Sequence, residues 1–378
     1  MANTLTGLFP VLYNAMNVVS REMVGLVAAV SRDATASQAA LNQTVRSPVV
    51  GAMTAADITP GNIAASGTDQ TIETVDISIS KSRKVSFNLT GEEERGLGSS
   101  NQTIAEQRFA QAMRTLVNEM EDDLAALYVN ASRAYGTAGT VPFGTGDDLT
   151  ALTETMRILD DNGAPRSDRH VVLGSAAVAK LLGKQPALFK VNEAGSAIER
   201  RFGELQPMFG AQMHSSGQIR AHTPGGATGR LVNEAAGYAV GDTSITFDTG
   251  SGAFLAGDVV TFDGNDEQYV VQATATTPLV LNNPGLILAI ADDDAIAVQA
   301  AYTANMAFSR DAIQLAARVP ATPTGGDQAD DRMIVTDPMS GVSFEVSVYR
   351  QYRQVSYEVA AAWGVKAVKG EHLALLIG

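Results

Sequence analysis

A chain of 378 residues, 45% hydrophobic and 18% charged, has the make-up of a folded protein of about two to three domains, and its composition excludes disorder of the whole. The absence of cysteine excludes disulfides, thiolate metal sites and cysteine nucleophiles. A formal net charge of -14 works against direct affinity for nucleic acid, because phosphate binding rests on clustered Lys and Arg.

Met1 to Val30 lacks the basic start of a signal peptide, and its best apolar run, Val24 to Val30, falls short of the roughly 20 residues of a membrane span. A soluble, cytosol-made protein with no membrane partner is expected. Leu5, Leu8, Leu12, Met16, Val19, Met23, Leu26 and Val30 recur at steps of three and four, one apolar stripe on a helical surface, interrupted at Pro10. A stripe this early, with no following core, predicts a partner. From Ser47 to Thr90 the period becomes two: Val75, Ile77 and Ile79, then Val85, Phe87 and Leu89, alternate with polar residues, which predicts a hairpin around Lys81 to Arg83. Thr59-Pro60-Gly61-Asn62 and Ser66-Gly67-Thr68-Asp69 make the stretch before Thr71 an exposed loop or extended arm.

Thr103 to Glu106 is a capping-box pattern, and Phe109, Met113, Leu116, Val117, Met120, Leu124 and Leu127 keep helical spacing behind it. The helix runs to about Tyr128, on the order of 35 Å, the length of a strut. A second helix spans about Leu149 to Asp161 and stops at Asn162-Gly163, followed by a buried strand over His170 to Leu173 and a short helix over Ser175 to Leu182. From Pro224 to about Ala300 short strands alternate with Gly, Asp and Asn turns; Ser244 to Phe247, Val259 to Phe262, Gln268 to Val271 and Leu279 to Leu281 stand out, a small all-β module inserted in a mixed α/β host. The host resumes at Asp311 to Arg318, with strands over Val342 to Val348 and Gln354 to Ala361. Leu373 to Ile377 is apolar enough to be buried, which for a final segment implies that it completes a sheet.

A search for chemistry finds none. His170, His214, His222 and His372 are scattered without metal-pair spacing, and Asp168-Arg169-His170 is read as a solvated turn before a strand. The acidic loops Asp263 to Glu267 and Asp292 to Asp294 lack the twelve-residue calcium pattern and read as a hairpin turn and a charge run. Gly144-Thr145-Gly146 lacks the rest of a phosphate loop, and Gly174-Ser175 the second glycine of a nucleophile elbow. No catalytic, cofactor-binding or metal residue is expected, and the chain is not read as an enzyme.

With these parts in order, the chain resembles a tailed-bacteriophage major capsid protein of the Hong Kong 97-type fold, in the subgroup of short-tailed-phage coat proteins that carry an inserted β-barrel. The stretches MANTLTGLFPVLYNAMNVVSREMVGLV, TSITFDTGSGAFLAGDVVTFDG, FSRDAIQLAARVP and SYEVAAAWGVKAVKGEHLALLIG carry the likeness, which covers nearly the whole chain. The resemblance implies an α+β fold divided into an N-terminal arm (1–46), an extended loop (47–90), a peripheral domain with a spine helix (91–146, the spine at Asn101 to Tyr135), and an axial domain (147–223). An inserted β-barrel (224–300), the axial return (301–331) and the completion of the peripheral and axial sheets (332–378) follow.

It further implies self-assembly as hexamers and pentamers of an icosahedral shell in the host bacterial cytoplasm, through a procapsid that expands. A portal protein, a decoration protein and enclosed double-stranded DNA, bound without sequence specificity, would be its partners. The acidic balance suits a shell that must let DNA enter and leave. Lys81 and Lys84 are potential isopeptide donors, but no Asn follows Asn305, so covalent crosslinking of that kind is not expected. The arm-like sequence begins at the first residues, which predicts a separate scaffolding protein. Contacts between copies are then assigned to the stripe (Leu8, Leu12, Met16, Val19), the loop (Lys81, Arg83, Lys84) and the module (Asp263, Asp266, Glu267, Asp292, Asp293, Asp294). An encapsulin-type compartment would share the host pattern without the inserted barrel or long arm, and an acidic glycan-binding protein would need more aromatics than 6%.

Overall fold

The structure is a computed structural model that describes residues 5–22, 25–49, 73–97, 101–184, 207–274, 277–337 and 341–378. Met23, the loop stretches Thr59 to Asn62 and Ser66 to Asp69, and the side chains of Leu5 and Leu8 lie outside the described residues.

The first helix, α1 (Leu5–Glu22), contains Pro10 without stopping there. Proline removes one backbone hydrogen bond, and the helix continues because Val11, Leu12, Ala15, Met16 and Val19 are all buried. A single turn, α2 (Leu26–Ala29), leads to β1 (Ser31–Ala39) and β2 (Thr44–Val49). Then come β3 (Glu73–Ser78), β4 (Lys81–Thr90), α3 (Gly91–Leu97) and α4 (Asn101–Ala125), which a 3-10 turn over Ala126–Asn130 extends. The strut is therefore helical to Asn130, and its expected last residues belong to β5 (Arg133–Gly136).

Next, α5 (Thr150–Asp161) stops at Asn162 with Gly163 at φ 73, where the Gly163 and Ala164 amides donate to the carbonyls of Asp160 and Leu159. It is followed by β6 (Arg169–Leu173), α6 (Ser175–Lys184), β7 (Ala211–Ser215) and β8 (Ala221–His222). The segment read as a module holds β9 (Arg230–Val232), β10 (Ser244–Ile245), β11 (Phe247–Asp248), β12 (Val259–Phe262), β13 (Asn265–Val270), β14 (Leu279–Val280) and β15 (Ala295–Val298). The chain closes with β16 (Tyr302–Ser309), β17 (Ile313–Pro320), β18 (Asp331–Thr336), β19 (Ser343–Gln351), β20 (Gln354–Ala367) and β21 (Leu373–Ile377).

One sheet is built around β20, the longest strand. Along one edge it pairs with β4; along the other it pairs first with β19, over 354–360, and then with β17, over 362–367. Beyond these, β1 joins β17 in parallel and β18 joins β19. On one face lies α4, with Phe109 edge-on to Phe87 at 5.0 Å and to Tyr357 at 5.4 Å. The apolar stripe of α1 packs on α4, in the same core as Trp363 and Val359. On the opposite face Ile77 and Ile79 pack with Ala316 and Ala362.

The expected hairpin does not form. Instead, β3 pairs with β2 as a two-stranded ribbon, while β4 pairs with β20. Alternation identifies two strands but not their partners, and here the intervening residues divide them between neighbours. The Ile79 amide donates to Gln43 at 2.9 Å and the Ser80 amide to Trp363 at 3.0 Å. Lys81 thus begins a strand and is not a turn residue.

A second sheet runs β11-β9-β15-β12-β13-β5-β21-β16-β6-β7, with β8 also on β16. Its centre is the C-terminal strand: β21 pairs in parallel with β5 and antiparallel with β16, and every residue of it is buried. Leu373, Leu375 and Ile377 enter the core shared with α4, while Ala374 and Leu376 enter the core beneath α5 and α6. The final segment does complete a sheet, as its apolarity predicts.

The predicted axial return divides. A 3-10 turn at Arg310–Ala312 sends the chain from β16 in the second sheet to β17 in the first, and another at Gly370–His372 sends it back from β20 to β21. The Val368 amide donates to the Ala312 carbonyl at 2.8 Å, so the two crossings are held together.

Candidate functional site

Among the described residues no group of three or more His, Asp or Glu side chains is placed to hold a metal ion; what the chain offers is joints between its parts and surfaces that face outward. The stripe residues Leu12, Met16 and Val19 are buried against the chain's own α4, so they are not surface for another copy. The partner that the stripe predicts is intramolecular, and the outward side of α1 presents Tyr13 and Val18 instead.

The basic residues of β4 are engaged within the chain. Lys81 pairs with Asp123 at 2.7 Å, Arg83 with Glu119 at 3.7 Å and Lys84 with Glu358 at 2.8 Å. Hydrogen bonding and charge from Glu358 hold the Lys84 ammonium above its usual range. Asp123 also accepts the indole N–H of Trp363 at 2.8 Å, so one carboxylate of α4 fixes both β4 and β20.

Of the module's acids, Asp263 and Asp266 are exposed at the β12–β13 hairpin. Asp292 accepts the Glu234 amide at 2.8 Å and Asp294 the Ala291 amide at 2.7 Å, while Asp293 takes φ 65; these three shape a turn. Glu267 is not loop charge. It meets the fully buried guanidinium of Arg133 at 2.7 Å and Arg157 at 3.0 Å, and Asp161 completes the group at 3.1 Å from Arg133 and 3.0 Å from Arg157. This network ties β13 to β5 and α5, and β13 continues the host sheet through the pairs Gln268–Ala134 and Tyr269–Arg133. The module nevertheless has its own core, in which Phe247, Phe254, Phe262, Tyr269 and Leu286 meet. Between 224 and 300 the sequence carries ten carboxylates and a single basic residue, Arg230.

Two joints escape sequence reading. Glu121, buried on α4, accepts the amides of Leu26 and Val27 at 2.9 and 2.7 Å and the Ser216 hydroxyl at 2.8 Å. A Glu in a strut helix gives no sign that it caps another helix ninety-five residues away. Likewise Tyr128, at the end of the strut, donates to His222 Nδ1 at 2.7 Å, and His222 Nε2 donates to the buried Asp258 at 2.7 Å. The Tyr302 hydroxyl donates to the Gly257 carbonyl, and burial pushes the phenols of Tyr302 and Tyr128 up.

Asp168-Arg169-His170 is not the solvated turn expected of it. Arg169 and His170 are buried; Arg169 meets Asp160 at 2.7 Å, while His170 bonds Asp168 through Nε2 and His214 through Nδ1, both at 2.9 Å. Burial holds the His170 imidazole below its ordinary range against the opposing pull of Asp168. The strand β6 continues between two sheet neighbours, which leaves alternate residues no water to face.

No family model matches the chain, and no curated relative is found. Solved structures similar to it include a chain of Mycobacterium phage Che8, at 13% identity and TM-score 0.45, covering 88% of this chain and 84% of that one. The capsid of the cyanophage P-SCSP1u is similar at 10% identity and TM-score 0.46, covering 92% and 86%. A virus-like particle from Pyrococcus furiosus is similar at 10% identity and TM-score 0.44, covering 97% and 98%.

Proposed function

We propose that this chain is a major capsid protein, a structural subunit that assembles with copies of itself into the icosahedral shell of a tailed double-stranded DNA phage. The observation that carries this reading is the arrangement around β20. A long helix lies across a sheet drawn from both ends of the chain, a two-stranded ribbon leaves that sheet, and one core joins it to a second sheet centred on the last strand. That order of parts is the one the sequence resembles. In this reading residues 224–300 form the inserted β-barrel domain, whose Glu267 fastens it to the host and whose exposed acids, Asp263, Asp266, Asp292 and Asp293, face neighbours or solvent.

Of the extended loop expected over 47–90, the last part, β4, belongs to the β20 sheet; in this reading the ribbon β2–β3 is the loop, and its base is fixed. Lys366 donates to the Asp76 carbonyl at 3.0 Å, and a side chain on Gly364 would collide with the Ser78 carbonyl, so the ribbon lies directly on β20. Scaffolding and portal proteins are the partners that go with this role, a decoration protein is an optional one, and the DNA inside is enclosed rather than bound by sequence. Sedimentation of the purified full chain, produced alone and together with any scaffolding protein encoded near its gene, tests the reading. Large uniform particles in either preparation support it; a monomer or small oligomer in both overturns it.

A further inference from the structure

The hairpin between β19 and β20 turns through Tyr352 and Arg353, with Gln351 opposite Gln354. Arg353 is held at φ 57, in the left-handed region that disfavours any residue with a Cβ. A comparable two-residue hairpin, Asp263-Gly264 between β12 and β13, meets the same need with a glycine at φ 72. Beside the strained arginine, Tyr352 is 90% exposed. Folding stability alone favours neither choice: glycine would relieve the strain, and a ring held in water buries nothing. Strain kept at a protruding tip points to a contact made there.

Next to the tip lies a groove of about 780 Å³, with Leu89 and Val355 in its lining, Glu92, Glu94 and Arg95 of α3 on one side, and Arg350 and Arg353 on the other; Arg350 also pairs with Asp330 at 3.4 Å. Its two sides are fixed to each other. The Gly91 amide donates to the Arg353 carbonyl at 3.2 Å, and Thr90 and Glu93 form a reciprocal cap at 2.9 and 3.2 Å. A space of this size accepts a tyrosine side chain. Because one patch presents an aromatic projection, a hollow, two carboxylates on α3 and two guanidinium groups on the hairpin, with a third guanidinium, Arg95, beside the carboxylates, the acids of one copy can face the hairpin arginines of another.

We propose that this patch is a contact between copies of the chain, in which Tyr352 of one copy enters the groove of another while Arg350 and Arg353 face the partner's acidic side. The choice of a second copy as occupant rests on the shell reading; the self-complementary charge supports it independently.

The cysteine-free sequence allows a direct test. Gln351→Cys in the full chain supplies one thiol per copy for a short bis-maleimide. Into that background go Glu92→Arg with Glu94→Arg, making the patch basic, or Arg350→Glu with Arg353→Glu, making it acidic. Each variant alone is expected to lose crosslinking at least tenfold, and an equal mixture to recover most of it as basic–acidic pairs. Arg353→Gly is a folding-safe control, expected to unfold no more readily than the parent yet to crosslink several-fold less. Unchanged crosslinking in the single-sign variants and in Arg353→Gly, or no recovery in the mixture, overturns the contact. Sedimentation of the same samples keeps the two readings apart: particles without patch crosslinks refute the contact alone, whereas crosslinked dimers without particles refute the shell alone.

Discussion

The Glu121 carboxylate accepts the Val27 amide at 2.7 Å, so a side chain of the long helix supplies the N-terminal cap of a helical turn far from it in sequence. Gly25 makes room for this, because a Cβ there would stand 2.5 Å from Glu121 Oε2. Removing the cap strands two buried amides, and Glu121→Ala is expected to cost about 2–5 kcal/mol. Denaturant unfolding checks the value. Gly25→Ala should also destabilise, but much less once Glu121 is already alanine, and equal costs in both backgrounds would contradict the coupling.

Met16→Asp places a charge in the core shared by α1 and α4 and is expected to cost more than about 4 kcal/mol. Circular dichroism would then show an unfolded or aggregated monomer, while Asn17→Asp, on the exposed side, leaves the spectrum and midpoint unchanged. A folded Met16→Asp monomer that merely fails to assemble would restore the stripe to the surface.

This pair of variants also marks how far the sequence was legible. Period and spacing identified α1, α4, α5 and the module segments that hold β10 to β14, though not β9 or β15, and the apolarity of Leu373 to Ile377 foretold its burial. They could not identify partners. The stripe of α1 looked unpaired because α4, its partner, lies some ninety residues on, and β3 and β4 looked like one hairpin because a two-residue link hides their separate sheets. Glu267 read as loop charge because nothing local shows that Arg133 is buried opposite it. Arg353 and Tyr352 left no motif; only the backbone angle and the exposure single them out.

Gly364→Ala is expected to lift the ribbon base from β20, since the new methyl would collide with the Ser78 carbonyl. Hydrogen exchange at the Ile79 and Ser80 amides, which donate to Gln43 and Trp363, should rise tenfold or more with the core of the sheet unchanged. Unaltered protection at both would show that the ribbon is not seated by this approach.

His170 favours its neutral form in the folded chain because burial opposes its charge, and its single shared proton with His214 leaves no acceptor if both rings are charged. The unfolded imidazole titrates near its ordinary value of about 6.5, so the unfolded state takes up protons first as pH falls. The contribution is therefore fully present above about pH 6.5 and is lost as pH drops through the lowered folded value. His372, shifted down by burial as well, acts in the same direction. Urea midpoints measured from pH 8 to pH 5 should fall toward acid, and His170→Gln should flatten part of that slope; an identical slope in the variant would contradict the assignment.

The most direct test of the proposed shell is negative-stain electron microscopy of the purified full chain, alone and with any scaffolding protein encoded near its gene. The account predicts closed polyhedral particles of uniform size, or irregular ones that the scaffold makes uniform. A field of monomers or small oligomers in both preparations would contradict it.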